Sequence, residues 1–208
     1  AGNSFTAPFA VTVEDRPDGS GETLDLAGAT LTANGGAAVL ADGRLRLTEA
    51  VADTAGSAYA DTRLAVDADT SFHTAFGFEA GGGAGVGGGA GFAFILQRSP
   101  DGAAALGNPG GGGGYGGSDG ISDSLVVEFD TGGNIWDPSG DHVAVHVGGD
   151  NRTPLGATAS PAFDLNGGTP GYAWIDYDGA TDQLDVFVSA TDVKPLEIGA
   201  PEAGLTLT

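Results

Sequence analysis

The chain has 208 residues, with 28 Asp and Glu against 7 Lys and Arg, a formal net charge of −21, and neither Cys nor Met. Such a charge excludes nucleic-acid phosphate as a partner, because no basic surface is available to displace its counterions, and it argues against anionic membranes. The lack of Cys excludes thiol chemistry, zinc ribbons and iron–sulfur clusters. The length suits a single domain over residues 1–208, and no apolar run nears the roughly 18 residues of a spanning helix, so no membrane insertion is expected. Ala1-Gly2-Asn3 would suit a processed N-terminus, which favours a secreted or cell-surface chain. Glycine reaches 39 residues, yet the apolar residues are clustered. This predicts a folded domain with glycine-rich loops.

In chain order the pattern alternates with period two, and helical periodicity is almost absent. Phe9 to Val13 alternates. Val39-Leu40, the Asp42-Gly43 turn and Leu45 to Thr48 read as a hairpin. Arg63 to Val66 and Phe72 to Phe78 read as strands with one buried face. Phe92 to Leu96 and Leu125 to Asp130 are denser, as in strands covered on both faces. His142 to Val147 alternates again. Tyr172 to Tyr177, the Asp178-Gly179 turn and Leu184 to Val188 form the clearest hairpin. Residues 81–91 and 107–120 are glycine loops inside one continuous pattern, with neither a domain boundary nor a repeat. The expected fold is an all-β antiparallel β-sandwich.

Chemistry concentrates in the segment from Glu128 to His142. On a strand, Glu128 and Asp130 project to one face while Phe129 points to the other. Two neighbouring carboxylates repel each other and resist burial, and a divalent cation removes both costs. The loop that follows brings Asn134, Asp137 and His142. Oxygen ligands suit calcium, and an imidazole suits a transition ion such as manganese or zinc. The set can serve two adjacent cations that share Asp130 and Asp137. The same residues also fit a hairpin with a solvated acidic face, but the apolar Val126-Val127 before Glu128 favours metal.

This segment resembles the L-type (legume-type) lectins, particularly their bacterial relatives. Glu128, Asp130, Thr131, Asn134, Asp137-Pro138-Ser139 and His142 match that family's pattern in type and order. Leu45 to Thr48, Ala55 to Ala58, Ser71 to Phe78, Gly91 to Gln97, Gly114 to Gly117 and the hairpin at Asp178-Gly179 resemble its successive blocks, covering roughly residues 20 to 195. The resemblance implies a concanavalin-like jelly roll. It implies that Glu128, Asp130, Asp137 and His142 bind a manganese-type ion. It also implies that Asp130, the Gly132 carbonyl, Asn134 and Asp137 bind Ca2+, and that Asn134 also meets a sugar hydroxyl. In the family these ions do no catalysis and rigidify the loops that bind carbohydrate, which suits a ligand held by many weak hydroxyl contacts.

Three departures accompany the resemblance. The family's sugar-binding Asp is replaced by Ala90, which has no acceptor for a charge-assisted hydrogen bond. The aromatic platform two residues after Asp130 is replaced by Gly132, leaving Trp136 or Tyr115, beside Gly114, to stack on a sugar unless they pack into core or loop. No closing strand is visible in residues 195–208, so an open sheet edge is expected, completed by another segment or subunit, with homo-oligomerisation or strand complementation as the consequence.

His73 and His146 read as ordinary strand residues, although His146 shares a face with His142. Residues 110–114 resemble a phosphate loop in composition only, lacking its Lys and helix. Asn151-Arg152-Thr153 fits a glycosylation sequon. Hydrolysis is not expected: hydrolases of similar fold carry a second Glu where this chain has Gly133. Two readings follow. One is a calcium-dependent, non-catalytic lectin or adhesin module. The other is a lectin-like structural or self-assembling surface module that has lost sugar binding with Ala90.

Overall fold

The computed structural model describes residues 4–14, 21–25, 29–64, 70–81, 90–156, 160–196 and 205–207, the first two stretches and the last as backbone. The chain-order elements are β1 (Ser4–Glu14), β2 (Gly21–Asp25), β3 (Leu31–Gly35), β4 (Ala38–Val39), β5 (Leu45–Arg46), β6 (Gly56–Ala60), β7 (Ser71–Glu79), β8 (Phe92–Gln97), β9 (Ser124–Asp130), β10 (His142–Val147), β11 (Gly171–Asp178), β12 (Gln183–Ser189) and β13 (Leu205–Leu207). Two 3-10 turns, Gly102–Ala104 and Gly110–Gly112, are the helical elements among the described residues.

Every strand pairing is antiparallel. The large sheet runs β13-β12-β11-β7-β1-β5-β4, with β2 also on β1; a three-stranded sheet runs β10-β9-β8; β3 and β6 form a two-stranded sheet. The predicted hairpins form as β4–β5 and β11–β12. Two expectations change. Arg63 and Leu64 lie outside any strand, and the rest of that segment falls outside the described residues. The C-terminal stretch does hold a strand: β13 pairs with β12, Leu205 opposite Val186 and Leu207 opposite Leu184. A pairing of three residues is too short to show in an alternation pattern.

The core lies between the large sheet and the three-stranded one. Phe72, Phe76 and Phe78 of β7 and Ala173, Ile175, Val186 and Val188 of β11 and β12 meet Phe92, Phe94, Val127, Phe129, Val143 and Val145 from across. Phe129 sits at the centre. It stacks on its cross-strand neighbour Phe92 with centroids 4.6 Å apart and meets Phe76 edge-on at 5.9 Å. The other face of β9 is also covered. Val126 joins a second buried cluster with Ala105, Tyr115 and Ile121, under the loops between β8 and β9. Thus a dense apolar strand is sandwiched between a sheet and a loop layer, and Glu128 and Asp130 face the loop layer with Val126.

Truncating Phe129 removes a ring packed on three other aromatics. Phe129→Ala is expected to lower unfolding free energy by about 3–5 kcal/mol, measured by urea denaturation. A loss under about 1 kcal/mol would contradict this packing.

Candidate functional site

The site is built from β9, β10 and the loops that cover them. Strand register sets Asp130 opposite His142 and Glu128 opposite Ala144, all on the loop-facing side. Glu128, Asp130 and His142 are 5%, 3% and 2% exposed, and their ligand atoms lie within 4.8 Å of one another. Glu128 faces two imidazoles: its Oε2 is 3.1 Å from His146 Nε2 and 3.8 Å from His142 Nε2. Its Oε1 accepts the Tyr115 hydroxyl at 2.8 Å.

Asp130 accepts the Gly132 N–H at 2.6 Å. Its carboxyl is nonetheless pushed up to about 7, first by burial and further by the charges of Glu128, Asp137 and Asp141, with the Gly132 N–H pulling the other way. Two buried carboxylates of like charge therefore hold a proton that a cation would displace. The donor set fits a metal on a second ground. His142 Nδ1 lies 3.2 Å from the Ser139 carbonyl. With the Nδ1–H donated there, Nε2 turns its lone pair toward Glu128 and Asp130.

The loop after β9 folds back on itself. Asp137 accepts the Asn134 N–H at 2.5 Å and returns its own N–H to the Asn134 carbonyl at 3.2 Å. The Asn134 amide reaches the Gly132 carbonyl at 3.4 Å. Asp137 stands outside the close group of three and acts on Asp130 through its charge. Gly132, Asn134 and Asp137 are thus gathered in one turn, beside the group formed by Glu128, Asp130 and His142.

A glycine loop forms the roof. Asn151 donates its side-chain amide to the Gly111 carbonyl, and Asn108 holds Asp119 at 2.8 Å. Gly113 has φ +58, and a Cβ there would meet the Tyr115 ring at 3.1 Å and Glu128 Oε1 at 3.6 Å. Gly91 has φ +101, and a Cβ would stand 2.1 Å from the Phe129 carbonyl oxygen and 2.9 Å from Asp130 Cα. Ala90 precedes this close approach and has no polar side chain to offer.

Other sequence candidates take different places. Tyr115 is 0% exposed, so it is no stacking platform. Its ring fills the second core and its hydroxyl serves Glu128, while burial, and next the Glu128 charge, raise the phenol above its ordinary value. Gly114 is fixed by backbone hydrogen bonds with Gly107 and Asn108. Trp136 is 37% exposed, with the Arg152 guanidinium 4.8 Å over its ring, and Ile135 beside it is fully exposed. Asn151 is buried, and its amide is engaged with Gly111, so the sequon is not open to a glycan. His73 lies on the exposed side of β7. His146 is the residue that sequence reasoning undervalued. Its signal was period-two spacing from His142.

The Asp130 environment sets a pH dependence. In the ion-free chain the folded state keeps a proton that the unfolded chain, near its ordinary 3.8, has released. This contribution to stability is present below about 4 and is lost as pH rises through about 7. Urea unfolding in EDTA is expected to show a steeper loss of stability across that window for the wild type than for Asp130→Asn. Equal slopes would sink the assignment.

The Legume lectin domain family matches residues 23–199. Among curated proteins, the chain is similar to the L-type lectin-domain containing receptor kinase SIT2 of Oryza sativa subsp. japonica, 29% identical over 198 residues that make up 86% of this chain and 28% of the relative. It is similar also to the L-type lectin-domain containing receptor kinase VIII.1 of Arabidopsis thaliana, 35% identical over 129 residues, 61% of this chain and 18% of the relative. The chain therefore spans under a third of the length of these relatives. Among solved structures, the basic winged bean lectin with Tn-antigen superposes with a TM-score of 0.66 at 25% identity, covering 85% of this chain and 73% of that one. Lectin I from Ulex europaeus, in complex with the methyl glycoside of α-L-fucose, gives 0.62 at 23% identity, covering 86% and 76%, a likeness of fold.

Proposed function

The chain belongs to the legume lectin family, and on that premise we propose that it is a non-catalytic carbohydrate-binding domain whose loops are set by Ca2+ and a transition ion of the Mn2+ type. One observation carries this reading: three buried side chains with metal-ligating atoms, Glu128, Asp130 and His142, converge within 4.8 Å. Glu128, Asp130, Asp137 and His142 would hold the transition ion. Asp130, the Gly132 carbonyl, Asn134 and Asp137 would hold calcium. When bound, the ions supply fixed positive charge that neutralises the carboxylates and orders the loop.

The protein's own residues do the rest. The turn that Asp137 makes with Asn134 fixes the Asn134 backbone, and the Asn134 side-chain amide reaches the Gly132 carbonyl. Gly111 passes close to that side chain, since a Cβ there would stand 3.1 Å from Asn134 Oδ1. In this reading Asn134 and the glycine loop would offer the polar partners for a saccharide, with Ala90 and Trp136 as the further candidates. Such an arrangement would suit a saccharide, whose hydroxyls need prearranged partners. Hydrolysis is not part of the reading, because Glu128 and Asp130 are engaged with each other's charge and Gly133 supplies no acid. No helix among the described residues is long and apolar enough to cross a membrane. Display outside the cell, as a secreted or surface lectin or adhesin module, is where glycans would be met.

Removal of ions with EDTA is expected to lower the melting temperature by about 5–10 °C relative to a hundredfold excess of ion over Kd, with recovery on adding Ca2+ and Mn2+. A glycan array should show hits in calcium that vanish in chelator. An unchanged melting curve together with no metal by elemental analysis would overturn the reading.

Ala90 favours a second reading, a lectin-like structural or self-assembling module without sugar binding, since the position offers no acceptor and Gly132 offers no ring. An empty glycan array from a chain with metal-dependent stability would support it, as would self-association in sedimentation. Under the lectin reading, Ala90→Asp is expected to strengthen saccharide binding roughly tenfold, the worth of about 1.5 kcal/mol for a charge-assisted hydrogen bond. Calorimetry against an array hit would check it, and an unchanged Kd would remove Ala90 from the binding surface.

A further inference from the structure

We infer that Tyr115 and His146 are positioning residues that hold Glu128 from behind, in the pose that receives the transition ion. The inference rests on the ion site proposed above and adds to it two residues outside the ligand set.

The register makes room for the arrangement. Glu128 faces Ala93 on β8 and Ala144 on β10, so a small side chain flanks it on each neighbouring strand. His142 and His146 sit two positions either side of Ala144, on its face of the strand, and both rings fold toward Glu128 Oε2. Their distances differ in kind. His146 Nε2 at 3.1 Å is within hydrogen-bonding range, and His142 Nε2 at 3.8 Å is not. His142 belongs to the group that includes Asp130, and His146 does not. The ion side of Glu128 is therefore the His142 side, and His146 approaches from the other. Tyr115 adds a donor to Oε1 at 2.8 Å. Each oxygen thus carries one protein donor and keeps a lone pair for the ion.

The two imidazoles must then be opposite tautomers. His142 gives its Nδ1–H to the Ser139 carbonyl and presents a lone pair at Nε2. His146 has to carry its proton on Nε2, because a bare Nε2 would set a lone pair against a carboxylate oxygen 3.1 Å away. Its Nδ1 is buried with no hydrogen-bond partner among the described residues, so nothing there competes for the proton. Outer partners of metal ligands are typically worth tenfold to a hundredfold in affinity.

The test uses the full chain. Nitrogen-15 NMR of the metal-free protein should show His146 protonated on Nε2 and His142 on Nδ1; a His146 protonated on Nδ1 overturns the inference whether or not any variant folds. Mn2+ titration followed by electron paramagnetic resonance should show about tenfold to a hundredfold weaker binding for Tyr115→Phe and for His146→Leu. His146→Gln, which returns an N–H near the Nε2 position, should stay within a few-fold of wild type. Melting in EDTA identifies variants that remain folded. Folded Tyr115→Phe and His146→Leu proteins with wild-type Mn2+ affinity would refute the positioning role. A wild-type chain that takes up no Mn2+ would instead refute the ion site, and the tautomer measurement would still judge the clamp.

Discussion

Glu128 and Asp130 stand side by side on one face of a strand that is covered on both faces, and their mutual repulsion shapes what surrounds them. Burial raises the cost of charge, and proximity raises it again. The fold answers from several directions. Tyr115 and His146 approach one carboxylate, and the Gly132 N–H approaches the other. A divalent ion, in the function proposed above, would complete the balance.

Glycine gives this centre its roof. Glycines between β8 and β9 let backbone approach the carboxylates where bulk cannot. Gly113 passes close to Glu128 and Tyr115, and Gly91 presses on the end of β9. Asn108, Asn151 and Asp119 fasten the roof by side-chain hydrogen bonds. A loop rich in glycine loses much entropy on ordering. These polar contacts, with Tyr115 and Ile121 buried beneath, offset that loss.

Under the proposed lectin reading, recognition would fall to amide and backbone, with little aromatic area. Tyr115 has gone inward, Gly132 carries no ring, and one face of Trp136 lies under Arg152. The polar partners that remain are Asn134 and loop backbone. Such a surface would depend on preorganisation for its affinity. The tight turn of Gly132, Asn134 and Asp137 and the buried group behind it supply that order.

Much of this was legible in the chain itself. Period-two alternation marked β7 and β10, dense apolar runs marked β8 and β9, and a turn between apolar runs marked β11 and β12; the Glu128-x-Asp130 spacing placed both carboxylates on one face, because a strand repeats every two residues regardless of its partners. The order of Asp, Asn, Asp and His after them indicated metal chemistry and the family. Tertiary structure alone decided which aromatics are buried. Tyr115 looks like a loop residue in sequence, and only the folding of the glycine loop over β9 turns it into the core and onto Glu128. Nor does spacing reveal His146 as a partner of Glu128, since that meeting depends on the β9–β10 register and on alanines at positions 93 and 144. The short β13 pairing escaped notice for a related reason: three residues carry no period, and their place is set by the exposed edge of β12. Local pattern follows from backbone geometry, whereas contact across strands follows from how loops and sheets close in three dimensions.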